Sequence, residues 1–584
     1  MIVQVDVLKP PCCRNQLTKR NLVKPFVPCN AIETLKDLTT HRGEPFYADT
    51  PHNPMDDEFD ALVQETFNSL MECRPDLATF LGLHQYDKKM PSATREAHLQ
   101  LITDVSDYLE KFQSISEDDL SQNRQFERKL MISTLKFHLF QEGTIRRWEK
   151  DPNVAEMIGS AIVPLFSREF APLEERLESI TARLTQCPAV IEEFKTRMRT
   201  PVPLWVDMAK ESCNMLPFFF KIISDAAKEK GLNTTELDEA SSRTSDVLSQ
   251  YIAWLDTLSG EGEPILGKDL FEKLLKVRNL QLTSVEILKI GEYYLEQGKC
   301  NLKELVSEID PSSSVEDVRT RILADYPPTF EDTLEEYEKA IAKMRKVVLE
   351  KGFATLPENE RLIVTETPSF MRPIIPVAAY AGPAKFEKDQ MGIYFVTPVE
   401  GDALAEHNYA SILNTSVHEG YPGHHLQMSR ANQNSSLARV MCRAPELIEG
   451  WAHYCEERMR DYGLADINVQ VVQTLGIIFR AVRIIIDVNL HCGRMTFDEA
   501  VSFLEHEIGK EHYAATAEVK RYTKTPGYPL SYLLGKHLLL QVQEEVKEHM
   551  GEKYSDRQFH DAVLQAGSIP FPYLREELKL KGML

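Results

Sequence analysis

The chain is short of cysteine, of net positive charge and of long apolar runs, and each shortage excludes something. Ten cysteines are spread over 584 residues, and Cys12-Cys13 is the one close pair. Neither a CxxC nor the dense framework of a small secreted domain is present, which is the usage of reduced thiols in a cytosolic protein. Lys and Arg together number 67 against 89 Asp and Glu, a formal charge of −22. A field of that sign repels phosphate backbones and anionic lipid, so neither nucleic acid nor a membrane is an expected partner. The best apolar runs, Ile477 to Phe479 and Ile484 to Ile486, are soon broken by Arg480, Arg483 and Asp487. They fall short of the ~18 to 20 residues that would span a bilayer. Met1 to Pro11 carries Asp6, Lys9 and Pro10, where a secretion signal needs an apolar run of about 7 to 15 residues. A cytoplasmic protein is expected. The chain also lacks G-x-x-x-x-G-K-S/T, a G-x-G-x-x-G after a strand, and a G-x-S-x-G elbow, which removes nucleotide-dependent and serine-hydrolase chemistry.

What is there reads as a globular protein, 43% hydrophobic and 27% charged, with length for a sizeable core. Three regions are expected. Residues 1–50 hold Pro10, Pro11, Pro25, Pro28 and Pro45 without periodicity, and read as an arm that drapes over the body or stays mobile. Residues 51–352 read as a helical lobe: Phe59, Leu62, Val63, Phe67 and Leu70 set a helical stripe. Further helices are expected near 95–113, 116–142, 173–198, 203–229, 236–258, 268–276, 284–307, 315–323 and 331–352. Residues 353–584 read as a catalytic region. Two short β-branched or aromatic runs there, Arg361 to Thr367 and Gly392 to Thr397, predict a small sheet or hairpin, with an edge that could accept an extended peptide. The fold class expected is mainly α, a large two-lobed helical metallopeptidase-like fold with a small β element near the cleft.

The densest run of metal-ligand residue types is His418-Glu419-Gly420-Tyr421-Pro422-Gly423-His424-His425. In H-E-x-x-H the histidines sit one helical turn apart and both reach one zinc while the Glu polarises its water. Here that spacing fails, because position 422 is proline. Proline lacks an N–H and collides with the carbonyl four residues back, that of His418, so the helix must open there. If two residues loop out, His424 takes the place of the second histidine. On an undistorted helix it would be rotated by about 120°. His425 would lie about 10 Å along the axis from His418, too far for one ion, and stays open as an alternative ligand or a hydrogen-bond donor to substrate. A third ligand is available in Glu449, 25 positions after His424, on a helix returning beside the first, with His453 one turn on and behind it.

These residues resemble the domain-of-unknown-function 885 family, whose H-E-x-x-P-G-H-H hallmark matches 418–425. Further matches are Glu449 to Ala452, Arg480 to Arg483 with Asp487 and His491, Glu518 to Tyr522, Pro526-Gly527, Ser531-Tyr532 and Phe559 to Asp561. The resemblance covers roughly residues 55–580 and implies a helical, zinc-peptidase-like protein. Zinc would be held by His418, His424 and Glu449, with Glu419 as general base. Tyr532, with Tyr522 and His491 as rivals, lies in a segment similar to the tyrosine-rich loop of helical oligopeptidases and would serve the oxyanion. Arg521 and Lys524 could neutralise a substrate carboxylate. The chain departs from the family at Tyr528-Pro529, Asn489 and Arg494, where a substrate would be shaped. A zinc hydrolase of short peptides is the expectation. The alternatives are a zinc amidase or tailoring hydrolase for a small metabolite, and a silent helical binding protein with a structural metal. The other ligand-type cluster, Glu505-His506-Glu507 with Glu511-His512, reads as a solvated helix face. Cys442 and Cys455 read as packing residues.

Overall fold

The computed structural model describes residues 2–3, 53–367, 372, 378–399 and 401–584. The N-terminal arm expected over 1–50 lies outside them, apart from Ile2 and Val3. The protein is mainly helical with one small sheet. Most expected helices form close to their predicted limits, among them Arg95–Ser114, Leu173–Arg197, Pro203–Glu229, Ser284–Ile309 and Phe330–Glu350. Local chemistry sets several starts. Thr283 with Glu286 and Ser314 with Asp317 form reciprocal capping boxes, each satisfying two otherwise orphaned N–H groups. The helix expected over 116–142 is shorter, Gln122–Leu139, and passes into a π turn at Phe140–Ile145.

Two helices of the N-terminal region were not expected, the short Pro75–Phe80 and the longer Val154–Ser167. Val154–Ser167 carries a buried stripe of Val154, Ile158, Ala161, Ile162 and Leu165, with Glu156 and Ser160 exposed on the opposite face. It forms a core with the helices up to Leu255, including Ile191, Phe220 and Ile223. The main core runs from Phe126 to Met583 and takes in the helices between Lys268 and Glu350 as well as the C-terminal ones. It therefore does not divide at residue 352: the second half of the expected N-terminal lobe packs with the catalytic region.

Ile467–His491 is the one helix among the described residues long and apolar enough, by length and composition, to cross a membrane. Its apolar surface lies in the main core, with Ala481, Val482, Ile484, Ile486 and Val488 buried, and it carries Arg480, Arg483 and Asp487.

The sheet has the order β1-β3-β4-β2, from Ile2–Val3 (β1), Glu360–Glu366 (β2), Ala378–Ala381 (β3) and Gln390–Val396 (β4). β2 and β4 pair in parallel, and β3 pairs antiparallel with β4. The two runs seen in the sequence are therefore neighbours without forming a hairpin. One helix crossing decides the geometry of the site. Pro445–Arg458 passes Ser531–Met550 at Gly450 and Gly535. A Cβ built on Gly535 would lie 1.9 Å from the Glu446 carbonyl oxygen, and one on Gly450 would lie 2.4 Å from the Gly535 carbonyl carbon. Only paired glycines allow backbones this close.

Candidate metal centre

The helix Tyr409–Thr415 continues into a π turn at Ser416–Gly420, breaks at Tyr421–Gly423 and restarts as His424–Asn432. The opening is where Pro422 requires it. The chain folds back so tightly that the Gly423 N–H donates to the Val417 carbonyl at 3.0 Å, and a Cβ on Gly423 would meet the His418 carbonyl oxygen at 1.9 Å. Trp451 ties the break to the next helix, its indole N–H donating to the Pro422 carbonyl at 2.9 Å.

This fold-back brings His418 and His424 together, with ring centroids 4.8 Å apart. Glu449 Oε2 lies 3.5 Å from His424 Nε2 and 4.0 Å from His418 Nε2. All three residues are buried, and among the described residues they form the one cluster of three His, Cys, Asp or Glu side chains able to share an ion. His424 Nε2, Glu449 Oε2 and Glu419 Oε2 are buried with no hydrogen-bond partner. Donors held about 2.0–2.1 Å from a tetrahedral zinc would stand roughly 3.4 Å from one another, so two imidazole nitrogens and a carboxylate oxygen at these separations fit such an ion. The neighbouring electrostatics are consistent. Burial raises the Glu419 carboxyl above its ordinary value, and His418 and His424 oppose the rise. Burial works the same way on Glu449, but His424, His418 and the Tyr528 hydroxyl outweigh it and bring the carboxyl down to about 2.

The groups behind the ligands orient them. His418 Nδ1 lies 2.6 Å from Glu456 Oε1, which leaves Nε2 facing Glu449. Glu456 also accepts from Arg480 at 2.9 Å and from Asn414 at 3.1 Å. His424 Nδ1 lies 3.4 Å from Gln427 Oε1. His453 stands 3.6 Å from Glu456, one link further out than a direct ligand partner. Tyr528 donates to Glu449 Oε1 at 2.5 Å. Glu456 and Tyr528 went unnoticed as site residues. The departure from the family pattern at Tyr528 was the available signal, and nothing in the sequence distinguished Glu456 from Glu457.

Other expected site residues are placed as follows. Tyr532 stacks edge-on to Tyr528 with centroids 5.9 Å apart, and lies within electrostatic reach of Glu449. Tyr522 and His491 join one another instead of the ligands. The Tyr522 hydroxyl accepts from Arg483 at 3.1 Å, and its carbonyl lies 3.1 Å from His491 Nε2. His491 also stacks on Phe271, beside Asp487, whose carboxylate holds the Gly527 and Leu530 amides on either side of Tyr528. Both residues therefore hold the turn that carries Tyr528, and contact none of the three ligands.

His425 points away from the centre. It is fully buried, with Nδ1 3.0 Å from the Tyr380 hydroxyl and Nε2 2.8 Å from Glu360 Oε2, and it packs on Gly392 of the sheet. The expectation that it reaches ligand or substrate is corrected: one residue along a helix turns a side chain by about 100°, and both ring nitrogens are already engaged. Lys524 is likewise committed, its ammonium 2.9 Å from Asp151 and 2.8 Å from Glu156. Arg521 pairs with Glu518 at 2.9 Å. Neither cation is free for a substrate carboxylate. Cys442 and Cys455 are buried free thiols.

The chain belongs to the family described as bacterial protein of unknown function, DUF885, whose model matches residues 75–578. Two solved structures share the fold. One, from Shewanella oneidensis, is 21% identical with a TM-score of 0.74, and the match covers 89% of this chain and 99% of that one. The other, from Colwellia psychrerythraea, is 19% identical with a TM-score of 0.77, covering 91% and 99%. Each is described as a putative lipoprotein, the first also as of unknown function. No curated protein matches. The expectation of a cytoplasmic protein is overturned by these two descriptions, which point to an anchored, extracytoplasmic setting for those relatives. Sparse, unpaired cysteines are compatible with either side of a membrane and do not decide a compartment.

Proposed function

We propose that this chain is a zinc-dependent hydrolase of amide bonds, acting first on short peptides, on a helical scaffold of the metallopeptidase kind. The observation that carries the reading is the convergence of three buried ligand atoms, two of them without partners, beside a further buried carboxylate oxygen with none. An unpaired polar atom in a protein interior costs about 1–3 kcal/mol, and a bound cation removes that cost. His418 Nε2, His424 Nε2 and Glu449 Oε2 would hold the metal.

When bound, zinc would supply Lewis acidity, polarising a carbonyl and lowering the pKa of water. The protein's own residues do the rest. Glu419 takes a proton from the attacking water at Oε2 and delivers it to the departing amine, so that it ends as it began. Glu456 holds His418 in the tautomer with a proton on Nδ1, leaving Nε2 as the donor atom. Tyr528 fixes the rotation of Glu449 through its hydroxyl, and Tyr532 beside it is the donor for the oxyanion that forms when the carbonyl is attacked.

Two measurements test this. Metal analysis of protein purified without chelators should find about one zinc per chain, lost in His418→Ala. Glu419→Gln should retain the metal and lose about 10²- to 10⁴-fold in turnover of a short-peptide panel. Folded protein that neither contains zinc nor takes it up would sink the reading. Turnover unchanged in Glu419→Gln would remove Glu419 as base and leave a binding protein with a structural metal in front.

A further inference from the structure

A cavity of about 420 Å³ lies between the N-terminal helices and the metal-bearing region. Its walls are largely apolar, with Phe67, Leu81, Phe137, Leu266, Leu274 and Trp205 among them. Tyr528 joins it to the metal centre: the residue lines the cavity and its hydroxyl donates to Glu449. Arg443, six residues ahead of Glu449 on the approach to the same helix, lines the cavity too.

The cations of this cavity differ in their commitments. Arg147 and Lys524 both pair with Asp151 and Glu156, and Arg278 pairs with Glu446 at 2.6 Å. Arg443 and Lys150 have no ion pair among the described residues. Arg443 is exposed, lines the cavity, and lies over the Phe80 ring at 6.0 Å and within electrostatic reach of Tyr528. Glu263, exposed, is the lining carboxylate without an ion pair among those residues. A guanidinium beside an apolar chamber, free of a carboxylate, is suited to bind one from a ligand in bidentate fashion.

We propose that this cavity binds the apolar, carboxylate-bearing half of the substrate, with Arg443 selecting the carboxylate and Lys150 supporting it. This rests on the hydrolase reading of the adjoining centre and sharpens it to substrates with a free carboxylate and an apolar side chain near the bond to be cut. Arg443 takes the role that the sequence had suggested for Arg521 and Lys524.

The test is calorimetric binding of 4-phenylbutanoate and the uncharged 4-phenylbutan-1-ol, neither of which can be hydrolysed. Full-length wild type, Arg443→Gln and His418→Ala are compared. Wild type and His418→Ala should bind the acid at least tenfold more tightly than the alcohol. In Arg443→Gln that preference should fall below threefold while alcohol binding is unchanged. Equal binding of acid and alcohol by wild type would overturn the proposal without reference to any variant. A preference surviving in Arg443→Gln would overturn it, as would one lost in His418→Ala, which would put the carboxylate on the metal. Because no turnover is measured, failure of the hydrolase reading in the metal and Glu419→Gln tests would leave an observed acid preference, and with it the cavity assignment, standing.

Discussion

Two clusters of histidine and glutamate lie in the C-terminal half of this protein, and they behave in opposite ways. At the first, His418, His424, Glu419 and Glu449 are buried, and His424 Nε2, Glu419 Oε2 and Glu449 Oε2 lack hydrogen-bond partners. At the second, the His506 and His512 side chains are 82% and 80% exposed, resting on Glu507 at 3.1 Å and Glu505 at 2.7 Å. Glu507 is further paired with Lys299 at 2.5 Å. Residue types and local density are alike. The difference is that water and neighbouring charges satisfy the second cluster, whereas the first has been desolvated around a point where no protein atom completes it.

The adjacent histidines of the motif make the same contrast at closer range. His424 keeps a free ring nitrogen facing Glu449, and His425 spends both of its nitrogens on Tyr380 and Glu360.

Replacing ligands should separate the clusters most sharply. His424→Ala should abolish stoichiometric zinc, whereas the double variant His506→Ala/His512→Ala should leave metal content and melting temperature unchanged. Zinc lost from the surface variant would erase the distinction. Next in size is Gly535→Ala, which forces a methyl group into the Glu446 backbone. It should cost about 1–3 kcal/mol in denaturant unfolding and loosen metal binding by shifting Glu449 and Tyr528. A variant as stable as wild type would show that the helix crossing is less tight than described. The smallest expected effect belongs to Glu456→Gln, which keeps a hydrogen-bond acceptor for His418 but removes the charge. Zinc affinity by competition with a chelator should fall about 10- to 100-fold, and unchanged affinity would demote Glu456 to packing.

Much of this was visible before any coordinates. The 3.6-residue stripes located most helices, and Pro422 showed that the motif's helix had to open, making His424 the partner of His418. Val154–Ser167 escaped although it carries a stripe of the same kind, because Gly159 and Pro164, both poor helix formers, interrupt it. Glu456 and Tyr528 escaped because their roles depend on what lies across from them, 38 residues from His418 and 79 from Glu449. The commitments of Lys524 were equally invisible, since Asp151 and Glu156 sit more than 350 residues earlier in the chain.

The sequence by itself determined the mainly helical class, the family and the short-range chemistry of residues 418–425, because periodicity, proline sterics and helical spacing act over a few residues. The tertiary structure alone decided that both nitrogens of His425 are taken by Tyr380 and Glu360, that Glu456 and Tyr528 stand behind His418 and Glu449, which cations remain free in the cavity, and that the main core runs across residue 352. Those outcomes depend on the packing of distant segments, above all the Gly450–Gly535 crossing. Backbone contact between helices is a property of two surfaces that neither local sequence contains.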